Sequence, residues 1–397
     1  MSDISYQNLN PPCRILLGPG PSNIHPRVQR AMLAPLVGHL DPYFGTVMDD
    51  TMSLLRFLFQ TKNELTFPIS GAGSAGREAS LYNLLEPGDV AVIGVSGFFA
   101  EVVAENALRC GAEVIRVDAE WGRIIEPEAI EAALKAQKRV KLLAMVHGET
   151  STGVLQPLTE ASQLAKQYGA LFLVDAVASL GGEEIAVDDW GIDICFSGSQ
   201  KCISCPPGLA PITVSQDVLD IIKRRTHKVS SFYFDLLELS NYWAYNRSKA
   251  YHHTAPVNLV YALHEALALI ADEGLAPRIQ RHRRHGLAFQ AGLEAMGLTL
   301  HAQQGYRMNV LASVCIPPGV DDLRIRRRLL DEYCIDIWGG FGKLKGKIWR
   351  VGLMGSSSTE ANVLLLLFAL EKLLAEEGYS VEPGAGVTAA TQVLRKK

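Results

Sequence analysis

Leu171-Phe172-Leu173-Val174-Asp175 decides the architecture: four apolar residues in succession, then a carboxylate. A run without alternation suits a strand covered on both faces. The acid closing it then emerges at the carboxyl edge of a parallel sheet, where α/β folds hold ligands. Working outward, similar runs recur at Leu65–Ile69, Val90–Val95, Glu113–Val117, Lys141–Val146, Ile194–Ser197 and Ala210–Val214. Helical patterns separate several of them, near Ser74–Leu85, Phe98–Cys110, Pro127–Gln137 and Pro157–Tyr168. Pro127 and Pro157 stand where proline suits a first helical turn. This alternation predicts an α/β fold, a mostly parallel sheet of seven strands between helices.

Beyond it, Thr226–Lys249 is aromatic-rich and aperiodic and reads as an irregular excursion. Pro256–Asp272 reads as one long apolar helix leading into a second lobe. There, helices alternate with candidate strands Leu298–His301, Val310–Ile316, Ile335–Trp338 and Ile348–Val351. The expected division is a large domain over 23–272 and a smaller α+β domain over 273–397. Such a chain, 397 residues with a net charge of -4, has no global field for nucleic acid or an anionic membrane. Its strongest apolar run, Val363–Leu370, falls well short of the ~20 residues needed to span a bilayer. The first twelve residues lack a secretory pattern, and seven cysteines make no disulfide framework, so a cytoplasmic setting is expected. The cluster Arg278, Arg281, Arg283 and Arg284 is expected to be a solvated helix face rather than a nucleic-acid patch.

Gly71-Ala72-Gly73-Ser74-Ala75-Gly76 matches the dinucleotide pattern G-x-G-x-x-G after a candidate strand, which would make the protein a nicotinamide-dependent oxidoreductase. Against this, Pro68 interrupts a strand that such a motif would put at the sheet centre. The acid Asp89 also sits in a turn before the next strand. The sturdier reading is a glycine turn that offers backbone N–H groups and Ser74 to a phosphate at a helix N-terminus. Cys202-Ile203-Ser204-Cys205 is a C-x-x-C, but it lacks two further zinc ligands, and Pro206-Pro207 would disturb the helix start a redox pair needs. No metal is expected.

Lys201 follows the strand after Asp175, in Ser197-Gly198-Ser199-Gln200-Lys201, so both residues point from adjacent strand ends into one crevice. A lysine, an acid and a phosphate turn on one edge suit pyridoxal 5′-phosphate. Its aldehyde takes a lysine amine as a Schiff base, its ring nitrogen needs an anion, and its phosphate needs a helix N-terminus. Arg350, in Lys347-Ile348-Trp349-Arg350-Val351-Gly352, has the fork that reads a carboxylate in two parallel bonds.

The chain resembles the class V, fold-type-I aminotransferases of the alanine–glyoxylate / serine–pyruvate group. The resemblance is carried by Leu16-Leu17-Gly18-Pro19-Gly20-Pro21-Ser22-Asn23, by His147-Gly148-Glu149-Thr150-Ser151-Thr152-Gly153-Val154-Leu155-Gln156-Pro157, and by Val174-Asp175-Ala176-Val177-Ala178-Ser179-Leu180-Gly181-Gly182. Ser197–Lys201, Tyr251-His252-His253-Thr254 and Trp349-Arg350-Val351-Gly352 complete it. It implies that Lys201 carries the cofactor and moves the proton, with Asp175 under the pyridinium nitrogen. Ala72, Gly73, Ser74 and Gln200 would sit at the cofactor, joined by Tyr251 and Thr254 from the partner of a homodimer. Thr150 would bond near the ring hydroxyl, Phe99 would stack on the ring, and Arg350 would clamp the substrate carboxylate, with Tyr251 beside it. Residues 1–22 would form an arm across the other subunit.

The implied reaction is amino transfer from alanine or serine to glyoxylate or pyruvate. Ser74 replaces the His of the vertebrate enzymes and Phe99 replaces their Trp, which leaves the donor open. Other stretches, such as Gly346-Lys347-Ile348-Trp349-Arg350, are equally similar to bacterial ureidoglycine–glyoxylate aminotransferases of purine breakdown. Those carry Asn where this chain has Tyr251, which favours the alanine/serine type.

Overall fold

The computed structural model describes residues 7–396. Its main sheet has the seven expected strands: β1 (Leu65–Ser70), β2 (Val90–Val95), β3 (Glu113–Asp118), β4 (Leu142–Val146), β5 (Leu171–Asp175), β6 (Ile194–Phe196) and β7 (Leu209–Val214). Their order is β1-β7-β6-β5-β4-β2-β3, and only β7 runs against the rest. Most positions of β4 through β7 are buried, as continuous apolar runs require. Helix Gly73–Leu84 packs on β6 and β7, and helix Phe98–Arg109 on β2 and β4.

The sheet agrees with the objection drawn from Pro68. Strand β1 is an edge strand, with Pro68 opposite Pro211 of β7, and at an edge a missing N–H need break no ladder. The excursion Thr226–Lys249 is also less irregular than expected. It contains helix Leu236–Tyr242, capped by the Asp235 carboxylate on the N–H groups of Leu237 and Glu238.

After helix Val257–Glu273, helix Leu275–Ala295 leads into a second core. Its sheet joins β8 (Leu311–Cys315), β9 (Trp338–Gly339) and β10 (Ile348–Gly352) in the antiparallel order β8-β10-β9. The expected strand at Leu298–His301 shrinks to a single bridge, Leu300 with Val314. Ile335–Asp336 pairs instead with Ile15–Leu16, and Leu17 is buried in this second core. Of the expected arm over 1–22, residues 1–6 lie outside the described residues, and Ile15–Leu17 belong to the chain's own smaller lobe.

Half of the arginine cluster departs from a solvated face. Arg283 and Arg284 are exposed, but Arg278 is buried. Its guanidinium donates to the carbonyls of Gly181 (2.9 Å) and Cys202 (2.6 Å) and to Glu273 (2.7 Å). With its donors occupied, the fork tolerates burial. Arg281 joins Glu273 (2.6 Å) and the Ser358 carbonyl (2.6 Å). The pair fastens the smaller lobe to the segment that carries Lys201.

Candidate active site

Five strand ends meet at one cavity. Ala72, Gly73 and Ser74 follow β1, Phe99 follows β2, Gly148 and Thr150 follow β4, Asp175 ends β5, and Gln200 and Lys201 follow β6. All are carboxyl ends, so the parallel sheet brings together residues scattered over the sequence.

Asp175 is 5% exposed, and its Oδ1 accepts the Val177 N–H at 2.9 Å. Burial pushes its pKa up to about 6, against the opposing pull of that N–H, Arg77 and Lys201. Burial, with Arg350 as a second cause, pulls the Lys201 amine down to about 8. The two groups form no salt bridge with each other; Lys201 Nζ donates to the Pro19 carbonyl. The lysine chain lies against Gly20, where an added Cβ would fall 2.9 Å from Nζ and the φ of +100° already favours glycine.

Arg350 stands on β10 at the edge of an adjoining cavity lined by Arg326, Trp338 and Phe341. Only 1% of it is exposed. Its Nε donates to the Gly339 carbonyl at 2.8 Å, and its Cζ lies 3.8 Å from the centre of the Phe341 ring. Its Nη2 is buried without an acceptor among the described residues. Burial pulls its pKa down to about 10, eased by the charge of Glu149. Tyr251 and Thr254 are both exposed and do not line this chain's cavity.

The family model for class-V aminotransferases matches residues 30–340. The (S)-ureidoglycine–glyoxylate transaminase of Bacillus subtilis is 42% identical over 400 residues, covering 96% of this chain and 95% of that protein. The alanine–glyoxylate aminotransferase of Drosophila melanogaster is 37% identical over 366 residues, covering 91% and 93%. A solved alanine–glyoxylate aminotransferase from a Nostoc species superposes with a TM-score of 0.91 at 47% identity, over 94% of this chain and 98% of that one. This chain belongs to the class-V aminotransferases. The nicotinamide reading of Gly71–Gly76 falls with that finding, and the geometry gives the reason. The glycine run leaves an edge strand, and Asp89 is spent on a turn, where Oδ2 takes the Glu86 N–H at 2.9 Å.

Membership in this family implies pyridoxal phosphate, and the cavity of this aminotransferase fits it. Helix Gly73–Leu84 begins at Ala72 without a side-chain cap, so its first N–H groups remain available to a phosphate. A Cβ at Gly73 would fall 2.9 Å from Val177, so the cradle there depends on glycine. Gln200 lines the same cavity, and its side-chain amide carries N–H donors of the kind a phosphate takes. Asp175 and Lys201, which line the same cavity, would supply the anion and the amine.

Two polar residues of the cavity region escaped the sequence reading. Arg77, buried in the cavity wall, is held through Nε by Asn106 at 2.7 Å, and it rather than Lys201 is the main cation acting on Asp175. Glu149 is a buried carboxylate that accepts the N–H groups of Phe99 (3.0 Å), Ala100 (3.2 Å) and Ser151 (2.9 Å) and the Ser151 hydroxyl (2.6 Å). It thereby fixes the backbone at Phe99. Arg77 lies within a helix and Glu149 in a two-residue strand, and neither carries a spacing that separates it from a solvated side chain.

On balance the surroundings of the C-x-x-C disfavour a thiolate. Cys202 and Cys205 are buried, and burial raises both thiol pKa values, to about 12 for Cys202. Among the described residues no cluster of three or more His, Cys, Asp or Glu is placed to hold a metal.

Proposed function

We propose that this aminotransferase moves the amino group of a small amino acid, alanine or serine, onto glyoxylate or pyruvate, with pyridoxal phosphate held on Lys201. The observation that carries this reading is one cleft combining a buried amine, a buried carboxylate and an uncapped helix start with Arg350's unspent donor nearby.

Bound there, pyridoxal phosphate supplies the electron sink that lets an amino acid lose its Cα proton. Lys201 Nζ would hold the cofactor and, as an amine that burial draws down to about 8, would accept the proton the donor gives up and hand it back. Asp175 holds a proton on the ring nitrogen, since a carboxylate confined in a dry site favours a cation beside it. Ala72, Gly73, Ser74 and Gln200 hold the phosphate, Thr150 orients the ring hydroxyl, and Phe99 covers the ring. Arg350 turns the donor's carboxylate so that its Cα faces Lys201.

Tyr251 and Thr254 serve the phosphate of a partner subunit, and Tyr251 also borders the partner's substrate. Their exposure, away from their own cavity, supports a homodimer with sites at the interface. Purified protein should show a visible absorption band that Lys201→Ala abolishes, and a donor screen against glyoxylate and pyruvate should rank alanine or serine first. A second reading, ureidoglycine as donor, draws on the extent of likeness to the Bacillus subtilis enzyme. Turnover of ureidoglycine well above alanine and serine would select it.

A further inference from the structure

Arg350 poses a problem that its own hydrogen bonds do not solve. A planar guanidinium recognises a carboxylate only when two of its N–H groups lie in the carboxylate's plane, so the plane must be held before the ligand arrives. One bond, from Nε to the Gly339 carbonyl, leaves the group free to swing about it. The second restraint is an aromatic face, with Cζ 3.8 Å from the centroid of Phe341.

Phe341 is the sole side chain in the run Gly339-Gly340-Phe341-Gly342, and the glycines fix its path. At Gly340 an added Cβ would fall 2.9 Å from Ile348, and Gly342 has a φ of +47°. The same ring meets Phe98 at 5.3 Å and Phe99 at 6.3 Å between centroids, so it crosses from the β9–β10 connection to the helix that supplies the cavity wall.

We propose that Phe341 is a positioning residue for carboxylate recognition: its face fixes the plane of the Arg350 guanidinium so that the free Nη2 meets the carboxylate of donor or acceptor. Its contacts with Phe98 and Phe99 tie that plane to the cavity wall. The proposal rests on the reading of Arg350 as the carboxylate clamp, and its test separates the two. Phe341 is partly exposed on a loop, so its replacement leaves both cores intact.

The probe is propionate, a carboxylate with no amino group to exchange, titrated calorimetrically into holoenzyme. Alongside it, KM and kcat are measured for alanine and glyoxylate. Phe341→Leu keeps an apolar side chain and removes the ring face. It should weaken propionate and raise both KM values about three- to tenfold, with kcat within about twofold. Phe341→Tyr should restore native values, and Arg350→Lys should lose more than either. In the Arg350→Lys background, Phe341→Leu should add nothing. If Arg350→Lys loses propionate while Phe341→Leu binds it like the native protein, the role of Phe341 is overturned and the clamp stands. Native affinity in Arg350→Lys overturns both. Loss of the visible band in Phe341→Leu at unchanged propionate affinity assigns the ring to the cofactor wall and also overturns the proposal. Should Phe341→Leu melt early, Phe341→Met repeats the comparison.

Discussion

Asp175 and Lys201 are each held away from their ordinary protonation behaviour by the same cause, removal from water. For Asp175 the folded pKa is raised above its unfolded value, so ionising it costs stability as pH rises through about 6. Without cofactor, Asp175→Asn should therefore stabilise the protein at pH 8, by roughly 3 kcal/mol at most, an advantage that shrinks as pH falls from about 6 and is gone below about 4. Thermal melts of the cofactor-free variants across pH test this, and an equal or lower melting temperature for Asp175→Asn at pH 8 contradicts it. For Lys201 the free amine predominates above about pH 8. Capture of added pyridoxal phosphate by empty protein, followed by absorbance, should quicken up to that pH and then level. A rate that keeps climbing to pH 10 would mean that the amine is not depressed.

At the scale of elements, the decisive unit is a helix start beneath a strand end. Helix Gly73–Leu84 leaves its first N–H groups uncapped, whereas helix Phe98–Arg109 has its own satisfied by Glu149 and Ser151. Glu149→Ala strips three backbone N–H groups of their acceptor and should cost about 3 kcal/mol or more, with Glu149→Gln costing less. A native melting temperature for Glu149→Ala would refute the bracket. The contrast also explains what the sequence disclosed. Strands β2 and β5 were legible to the residue because an unbroken apolar run of that length has few other uses in a chain this size. Asp175 was legible because it closes such a run. Glu149, Arg77 and Arg278 were not, because a charged residue outside such a run looks the same whether its partner is water or a buried amide. The smaller sheet was blurred for another reason: strands as short as Trp338–Gly339 carry no period to read.

On the scale of the whole molecule, two hydrophobic cores share one crevice, and Arg278 and Arg281 bolt them together beside Lys201. If Thr254 serves the other subunit, two disabled chains should repair each other. Lys201→Ala co-expressed with Thr254→Glu, a charge set against the phosphate, should recover about a quarter of native activity, because one site of each mixed dimer is whole. Purified mixed dimers that stay as inactive as either parent would place Thr254 outside the neighbour's site. The segment from Leu17 to Gly20 binds the crevice from another side. The Leu17 carbonyl takes the N–H of Gly352, two residues beyond Arg350 on β10, and the Pro19 carbonyl takes the amine of Lys201. An aldehyde arriving at this protein therefore meets an amine that is moored, not adrift. On the roles proposed for Lys201 and Arg350, the newcomer would have to loosen a rope whose other end is tied two residues from the substrate's grip, so loading the coenzyme and readying that grip would be one manoeuvre.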